Sequence, residues 1–170
     1  LDLNPNGILI PQISSYEEAQ FAISCSYYSP KGDRGLSPYT SAFEYNHENS
    51  DEKKKKINKK IFVGLLIEGL NGLKDLEKIC SKFHREISLI YFGLYDFTNS
   101  LKLKPTWQNP KVKLAVEKIV KICKKKDIRV GSIARNFDEI KLLKKIGINF
   151  ICYQNDTGII NNAFSKIKNI

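Results

Sequence analysis

Two carboxylate residues of this sequence, Glu68 and Asp96, each come shortly after an apolar run that predicts a buried strand. Glu68 follows Ile61–Ile67, and Asp96 comes after Ser88–Phe92. Neighbouring parallel strands lie about 4.8 Å apart, so carboxylates at two neighbouring strand ends can share one cation. Two oxygen ligands that leave positions open for water and substrate are typical of a Mg²⁺ or Mn²⁺ site. The alternative is an ion pair between Glu68 and a Lys or Arg side chain, because a desolvated carboxylate needs a partner.

The elements that must position these carboxylates alternate along the chain between apolar runs and helical patterns. The runs predict five strands, at Gly7–Ile13, Ile61–Ile67, Ser88–Phe92, Ile128–Ile133 and Asn149–Tyr153. Helical spacing of apolar residues predicts five helices, at Ser15–Ser26, about Gly69–His84, Pro110–Lys126, Phe137–Ile146 and roughly Thr157–Ile167. Residues 27–50 are predicted to form a polar loop, and Asp96 to lie in a shorter loop. This alternation predicts an α/β fold with a parallel sheet covered by helices.

Two architectures fit that order of elements, an open doubly wound sheet and a (β/α)₈ barrel. Five strand–helix units are fewer than eight, and 170 residues are fewer than the roughly 250 of a full barrel. We therefore predict a single domain, residues 1–170, that lacks its first βα units. In either architecture, functional residues gather at the carboxyl ends of the strands. Besides the two carboxylates, these ends carry Pro11, Gln12, residues 132–135 and residues 155–157.

Charge and cysteine content narrow the class of protein. The net charge of +10 is compatible with a nucleic-acid partner, but no aromatic residues are interleaved with the lysine-rich stretches 53–60 and 121–126 to stack on bases. No apolar run approaches the roughly 20 residues of a membrane span. The four cysteines lack metal-binding spacing, and we predict reduced, buried thiols at Cys25, Cys80, Cys123 and Cys152. We therefore expect a cytoplasmic protein that binds neither membrane nor nucleic acid.

Five short motifs occur in order along the chain, at Gly7–Pro11, Tyr28–Gly35, Leu66–Glu68, Phe92–Phe97 and Asn155–Gly158. Together they resemble the HpcH/HpaI aldolase family, which comprises metal-dependent pyruvate aldolases related to citrate lyase β-type enzymes. The resemblance covers nearly the whole chain. It implies a (β/α)₈ TIM-type barrel, here an incomplete one that covers about strands 4 to 8, and so favours the barrel over the open sheet.

The resemblance also implies a metal site and a reaction. Glu68 and Asp96 match the family's metal ligands, which implies that they hold a divalent cation, Mg²⁺ or Mn²⁺. The cation would bind the oxygens of a small 2-oxo acid, such as pyruvate or an oxaloacetate-like substrate. It would stabilise the enolate formed when a carbon–carbon bond breaks or forms. The implied activity is that of a lyase, and the implied assembly is a homo-oligomer.

Substrate binding is predicted for five residues, Arg34, Gly93, Leu94, Tyr95 and Asp96. Arg34 lies in a loop motif, and its alternative role is that of a rim arginine that shapes this loop by hydrogen bonds. The family's catalytic Arg and its His-containing base come from earlier strands that this sequence does not contain, so no catalytic residue is assigned. Leu66 stands where the family often has a substrate-contacting Gln, two residues before the metal Glu.

Two classes of function follow from these observations. The first is a metal-dependent lyase whose metal-binding half lies in this chain. The second is a non-catalytic truncated or degenerate barrel that acts through association with another chain. Five strands of a barrel leave two sheet edges exposed, and exposed edges favour association.

Overall fold

A computed structural model describes residues 1–167 of the 170-residue chain. Its five strands are β1 (Gly7–Ile10), β2 (Phe62–Ile67), β3 (Leu89–Phe92), β4 (Arg129–Ala134) and β5 (Phe150–Tyr153). Within the same residues lie seven α-helices, α1 (Tyr16–Ser26), α2 (Ser50–Lys60), α3 (Leu70–Phe83), α4 (Leu94–Ser100), α5 (Pro110–Lys124), α6 (Phe137–Ile146) and α7 (Asp156–Ile167). A 3₁₀ turn covers Ser41–Phe43 in the long loop between α1 and α2.

Side-chain caps fix the starts of three helices. Ser15, Asn109 and Asn136 each accept a hydrogen bond from a backbone N–H in the first turn, at 3.1, 2.9 and 2.9 Å. Pro110 occupies the first position of α5, where its missing N–H costs nothing. Helix α6 ends at Gly147, whose φ of 106° lies in the left-handed region that glycine adopts readily. These local signals confirm the sequence-based positions of α1, α5 and α6.

The five strands form a parallel sheet in the order β1-β2-β3-β4-β5, so each strand pairs with its neighbours in sequence. An open doubly wound sheet reverses its strand order at a switch point, and this sheet does not. The sheet also curls. The evidence is that the Phe62 ring of β2 stacks on the Phe150 ring of β5 with centroids 6.1 Å apart, although β3 and β4 lie between these two strands. The α/β prediction is confirmed: the five parallel strands form a curled half-barrel, which is consistent with an incomplete TIM-type barrel. Its assignment to barrel strands 4 to 8 stays a prediction.

The convex face of this sheet packs against the helices. Alternate residues of β2, namely Val63, Leu65 and Ile67, are fully buried in the main cluster of apolar side chains. Because successive side chains of a strand point to opposite faces, the intervening residues line the concave face. There Leu9 and Phe150 remain 42% and 38% exposed. The sheet therefore has one helix-covered side and one concave side that is only partly covered.

Helices α2 and α4 are not predicted by the sequence pattern. Helix α2 is rich in lysine and has Ile57 as its only apolar residue, so it gives no periodic apolar signal. It is favoured instead by acidic residues in its first turn and lysines in its last turn, which suit the helix dipole. The prediction that Asp96 lies in a loop is wrong, because Asp96 belongs to the first turn of α4.

The four cysteines occupy different environments. Cys80 and Cys123 are buried as predicted and Cys152 is partly buried, but Cys25 is exposed, so the buried-thiol prediction is wrong for Cys25. All four are free thiols. The helices formed by residues 1–167 include none with the length and apolar character needed to cross a membrane.

Asn58 on α2 holds the loop that follows α1. Its side chain is buried, its Oδ1 accepts from the Tyr28 N–H at 2.8 Å, and its Nδ2 donates to the Tyr28 carbonyl at 2.7 Å. In Asn58→Ala these two backbone groups lose their partners, and we expect the free energy of unfolding to fall by about 2 kcal/mol. Denaturant unfolding measures this change. The exposed control Asn99→Ala should lose less than about 0.5 kcal/mol. An equally small loss in Asn58→Ala would contradict the assignment.

Candidate functional site

Glu68 lies one residue beyond the carboxyl end of β2, where strand alternation turns its side chain away from the face that buries Ile67. Its half-buried carboxylate accepts a hydrogen bond on Oε2 from the backbone N–H of Gln12, at 2.9 Å. Gln12 follows β1 and has a left-handed φ of 56°, a conformation that is costly for non-glycine residues and that concentrates at functional sites. The Glu68 carboxylate is therefore oriented by the neighbouring strand.

Gly93 lies directly beside Glu68. Ile67 of β2 pairs with Phe92 of β3, and the Gly93 N–H donates to the Ile67 carbonyl at 3.1 Å. A Cβ atom placed on Gly93 would lie 2.6 Å from Cγ and 2.7 Å from Oε1 of Glu68, closer than atoms can approach. The Glu68 side chain therefore occupies the space that any other residue at position 93 would fill.

Helix α4 delivers Asp96 to the same edge of the sheet. Its buried residues Leu94 and Phe97, each 1% exposed, anchor it to the core and leave Tyr95 and Asp96 exposed in its first turn. A carboxylate is favoured there by the helix dipole. The Leu94 side chain is part of the core, so only the backbone of Leu94 is available for its predicted role in substrate binding.

Two carboxylates at this edge are candidate ligands for a divalent cation. Glu68 and Asp96 offer carboxylate oxygens, the ligand type that Mg²⁺ and Mn²⁺ prefer. In residues 1–167 no Lys or Arg forms an ion pair with Glu68, so the alternative predicted from the sequence is not found there. The described residues also contain no group of three or more His, Cys, Asp or Glu side chains that could hold a metal. Water and substrate oxygens would therefore complete the coordination, as is usual for Mg²⁺.

Arg34 is not brought to this edge. Its Nη2 donates to Asp2, which precedes β1, at 3.1 Å, and its guanidinium lies 4.4 Å from the centroid of the Tyr28 ring. Tyr28 in turn is held by Asn58 of α2, just before β2 begins. These contacts place Arg34 at the amino-terminal edge of the strands, with its side chain only 5% exposed. They match the loop-shaping role, and substrate binding by Arg34 stays a prediction that these contacts do not support.

Gly93→Ala tests whether Glu68 needs the space beside Gly93, which we call the Gly93 cradle. The new Cβ forces the Glu68 side chain to rotate away, and we expect Mn²⁺ affinity to fall about tenfold, the lower end of what disturbing the support of a metal ligand costs. Calorimetric titration with Mn²⁺ measures the affinity. Gly69→Ala is the matched control, because within residues 1–167 no atom other than those of its chain neighbours lies within 4 Å of a Cβ added there. Equal Mn²⁺ affinity in the two variants would contradict the proposed cradle.

Arg135, at the carboxyl end of β4, heads a second polar network. Its Nε donates to Oε1 and Oε2 of Glu139 at 2.9 and 3.2 Å, its Nη2 also donates to Glu139, and its Nη1 donates to the Pro105 carbonyl at 3.1 Å. Burial alone would raise the pKa of Glu139, but the hydrogen bonds and charge of Arg135 hold that pKa below its ordinary value. Gln154 donates to the Arg135 carbonyl. The sequence marks Arg135 by its strand-end position, whereas for Gln154 the only signal is that it directly follows an apolar strand.

Comparison with known proteins relates the chain to the HpcH/HpaI aldolase/citrate lyase family. The model of the HpcH/HpaI aldolase/citrate lyase family matches residues 1–163. A hydroxypyruvate/pyruvate aldolase of Sagittula stellata is 26% identical over 164 residues, which are 96% of this chain and 63% of that protein. A 4-hydroxy-2-oxo-heptane-1,7-dioate aldolase of Escherichia coli is 23% identical over 164 residues, 96% of this chain and 61% of that protein.

The same relationship is visible in the fold. The crystal structure of an HpcH/HpaI aldolase from Desulfitobacterium hafniense DCB-2 matches with a TM-score of 0.83 at 21% identity, over 97% of this chain and 63% of that one. The chain thus spans less than two thirds of the length of these relatives. Because the family model matches residues 1–163 of 170, the chain belongs to the HpcH/HpaI aldolase/citrate lyase family.

Proposed function

We propose that this chain carries the metal-binding part of a carbon–carbon lyase site for a small 2-oxo acid of the pyruvate type. The observation that carries the proposal is the Glu68 carboxylate, which the Gln12 amide orients against Gly93 at the carboxyl edge of the sheet. The two relatives described above are aldolases of hydroxypyruvate or pyruvate and of a 2-oxo dicarboxylic acid, which supports the substrate class.

Each residue at this edge has a proposed task. Glu68 and Asp96 hold a divalent cation, Mg²⁺ or Mn²⁺, which when bound supplies Lewis-acid polarisation of the substrate's keto oxygen. The Gln12 N–H binds Oε2 of Glu68 and would hold this carboxylate in a fixed orientation when the cation is bound. The first N–H groups of a helix lack carbonyl partners within it, and those of Leu94, Tyr95 and Asp96 would bind the substrate carboxylate.

We further propose that residues 1–170 form one domain, that they correspond to barrel strands 4 to 8, and that the protein is a cytoplasmic homo-oligomer. In the part of the chain that the structure describes, β1 pairs with β2 alone and β5 with β4 alone. Both edges therefore present unpaired backbone groups. This observation also favours the second candidate function, a non-catalytic barrel segment that acts by association with another chain.

Enolisation of pyruvate tests the lyase proposal without knowledge of the second substrate. In D₂O, a site that stabilises the enolate exchanges the methyl protons of pyruvate for deuterium, and ¹H NMR follows the loss of the methyl signal. We expect exchange with protein and Mg²⁺ to exceed that with Mg²⁺ alone, and to return to this background in Glu68→Gln. Background exchange with the wild-type protein would reject catalysis by this chain and favour the association candidate.

A further inference from the structure

A pocket of about 290 Å³ lies at the carboxyl ends of β4 and β5. Its lining includes Tyr95 of α4, Ile133 of β4, and Arg135, which directly follows β4. Three amide side chains also line it, those of Gln154, Asn155 and Asn162. Tyr95 directly precedes Asp96 in the first turn of α4. The pocket therefore adjoins the proposed metal site on the same edge of the sheet.

The guanidinium of Arg135 is held in a fixed position on the wall of this pocket. Of its five N–H donors, two bind Glu139 and one binds the Pro105 carbonyl. The other two N–H groups are not used by Glu139 or Pro105, and the side chain is 38% exposed. The pKa of Arg135 is raised first by its hydrogen bonds with Glu139 and also by Tyr95, which therefore lies beside the guanidinium. The backbone N–H of Arg135 also donates to Glu139, at 2.7 Å, which fixes both residues relative to β4. A fixed donor group binds a ligand oxygen with little loss of side-chain entropy.

The amide side chains opposite Arg135 are oriented as well. Gln154 donates through Nε2 to the Arg135 carbonyl and accepts on Oε1 from Nδ2 of Asn162 at 3.3 Å. Asn155 accepts on Oδ1 from the Gly158 N–H at 2.7 Å, and its Nδ2 has no hydrogen-bond partner among residues 1–167. Leftover donors therefore lie on two sides of the pocket, and they suit a ligand with acceptor oxygens.

The charge of the pocket decides whether the acceptor oxygens of the ligand are charged or uncharged. The side chain of Glu139 is 13% exposed, and its carboxylate offsets the charge of Arg135 at hydrogen-bond distance. A ligand carboxylate would lose its hydration and would meet a pair whose net charge is zero, so its desolvation would not be compensated. A hydroxyl or an aldehyde oxygen loses far less hydration and still accepts from the two N–H groups.

We propose that this pocket binds the uncharged, hydroxyl- or carbonyl-bearing aldehyde that is joined to the 2-oxo acid, and that the Arg135–Glu139 pair selects against aldehydes carrying a carboxylate. The inference rests on the proposed function for its choice of ligand. In the aldol direction, C3 of pyruvate loses a proton and bonds to the aldehyde carbon. The aldehyde oxygen takes up a proton and becomes a hydroxyl, so the step involves no oxidant or reductant.

Glycolamide and glycolate test the charge preference directly, because they have nearly the same shape and differ by one negative charge. Trp107 is the only tryptophan of the chain and lies two residues after Pro105, whose carbonyl accepts from Arg135, so its single indole N–H signal in a ¹H–¹⁵N spectrum is a local probe of this pair. We expect wild-type protein to bind glycolamide at least about fivefold more tightly than glycolate. In Glu139→Gln the uncompensated Arg135 should reverse that order.

Asp138→Asn is the matched control, because it removes the same charge one residue away on a side chain that is 93% exposed and should leave the preference unchanged. If Glu139→Gln does not fold, Tyr95→Phe provides a second test. It removes one hydroxyl from an exposed ring that lines the pocket, and it should weaken glycolamide binding. Glycolate binding as tight as that of glycolamide in the wild type would overturn the proposal, as would an unmoved indole signal. Glycolamide binding without pyruvate exchange would reject the lyase activity and support the pocket.

Discussion

Glu68→Gln is expected to weaken Mn²⁺ binding by more than about 100-fold. The substitution keeps the size of the side chain and replaces a charged oxygen ligand by a neutral amide. Only two carboxylates are proposed to bind the cation, so each supplies about half of the protein's charge at the site. Calorimetric titration with Mn²⁺, with and without pyruvate, measures the change.

The control for this variant is Glu77→Gln, which makes the same chemical change on the exposed side of α3. It should bind Mn²⁺ as the wild type does, and its unfolding should show that loss of one carboxylate leaves the fold intact. If Glu68→Gln bound Mn²⁺ with unchanged affinity, the metal assignment would be wrong. In that case the Gln12–Glu68 hydrogen bond would have a structural role alone.

Gly72→Ala is expected to lower the free energy of unfolding by about 3 kcal/mol. Gly72 lies in α3, and a Cβ atom there would lie 2.2 Å from the carbonyl oxygen of Ile13. This oxygen belongs to the backbone, so it cannot rotate away as a flexible side chain can, and α3 must shift from the sheet. The gain in helix propensity from Gly to Ala, about 1 kcal/mol, does not offset such a shift.

Thermal unfolding measures this effect, and a loss of that size corresponds to a fall in Tm of roughly 6 to 12 °C for a domain of this length. Gly69→Ala is again the control, because it lies just before the same helix and has open space around it. A Tm equal to that of the control would show that the close contact between α3 and Ile13 does not constrain the fold.

Strands and their order were the features most accessible from the sequence. The apolar runs that predict β2 and β3 lie in the middle of the sheet, where most of their residues are buried, and such runs need no periodicity to be recognised. Helix α2 could not be predicted in this way, since its stability comes from Ile57, Asn58 and charges at its ends. Helix α4 has seven residues, too few for a helical period to stand out.

The carboxylates of the candidate site could be predicted from the sequence, but the groups that surround and orient them could not. Glu68 is visible because it ends an apolar run. The Gln12 amide that orients it comes from a residue 56 positions earlier, and a backbone hydrogen bond of that kind leaves no mark in the sequence. Arg34 shows the opposite case, because its motif suggested a ligand while its contacts with Asp2 and Tyr28 depend on how the long loop folds back.

The position of the bound metal tests the central claim most directly, and diffraction from crystals grown with Mn²⁺, recorded at the manganese absorption edge, locates it. We predict an anomalous peak about 2.0 to 2.4 Å from a carboxylate oxygen of both Glu68 and Asp96. Continued binding of the Gln12 N–H to the other oxygen of Glu68 is expected in the same crystals. A manganese peak elsewhere in the chain, or none at saturating Mn²⁺, would contradict the assignment of these two carboxylates as the metal site.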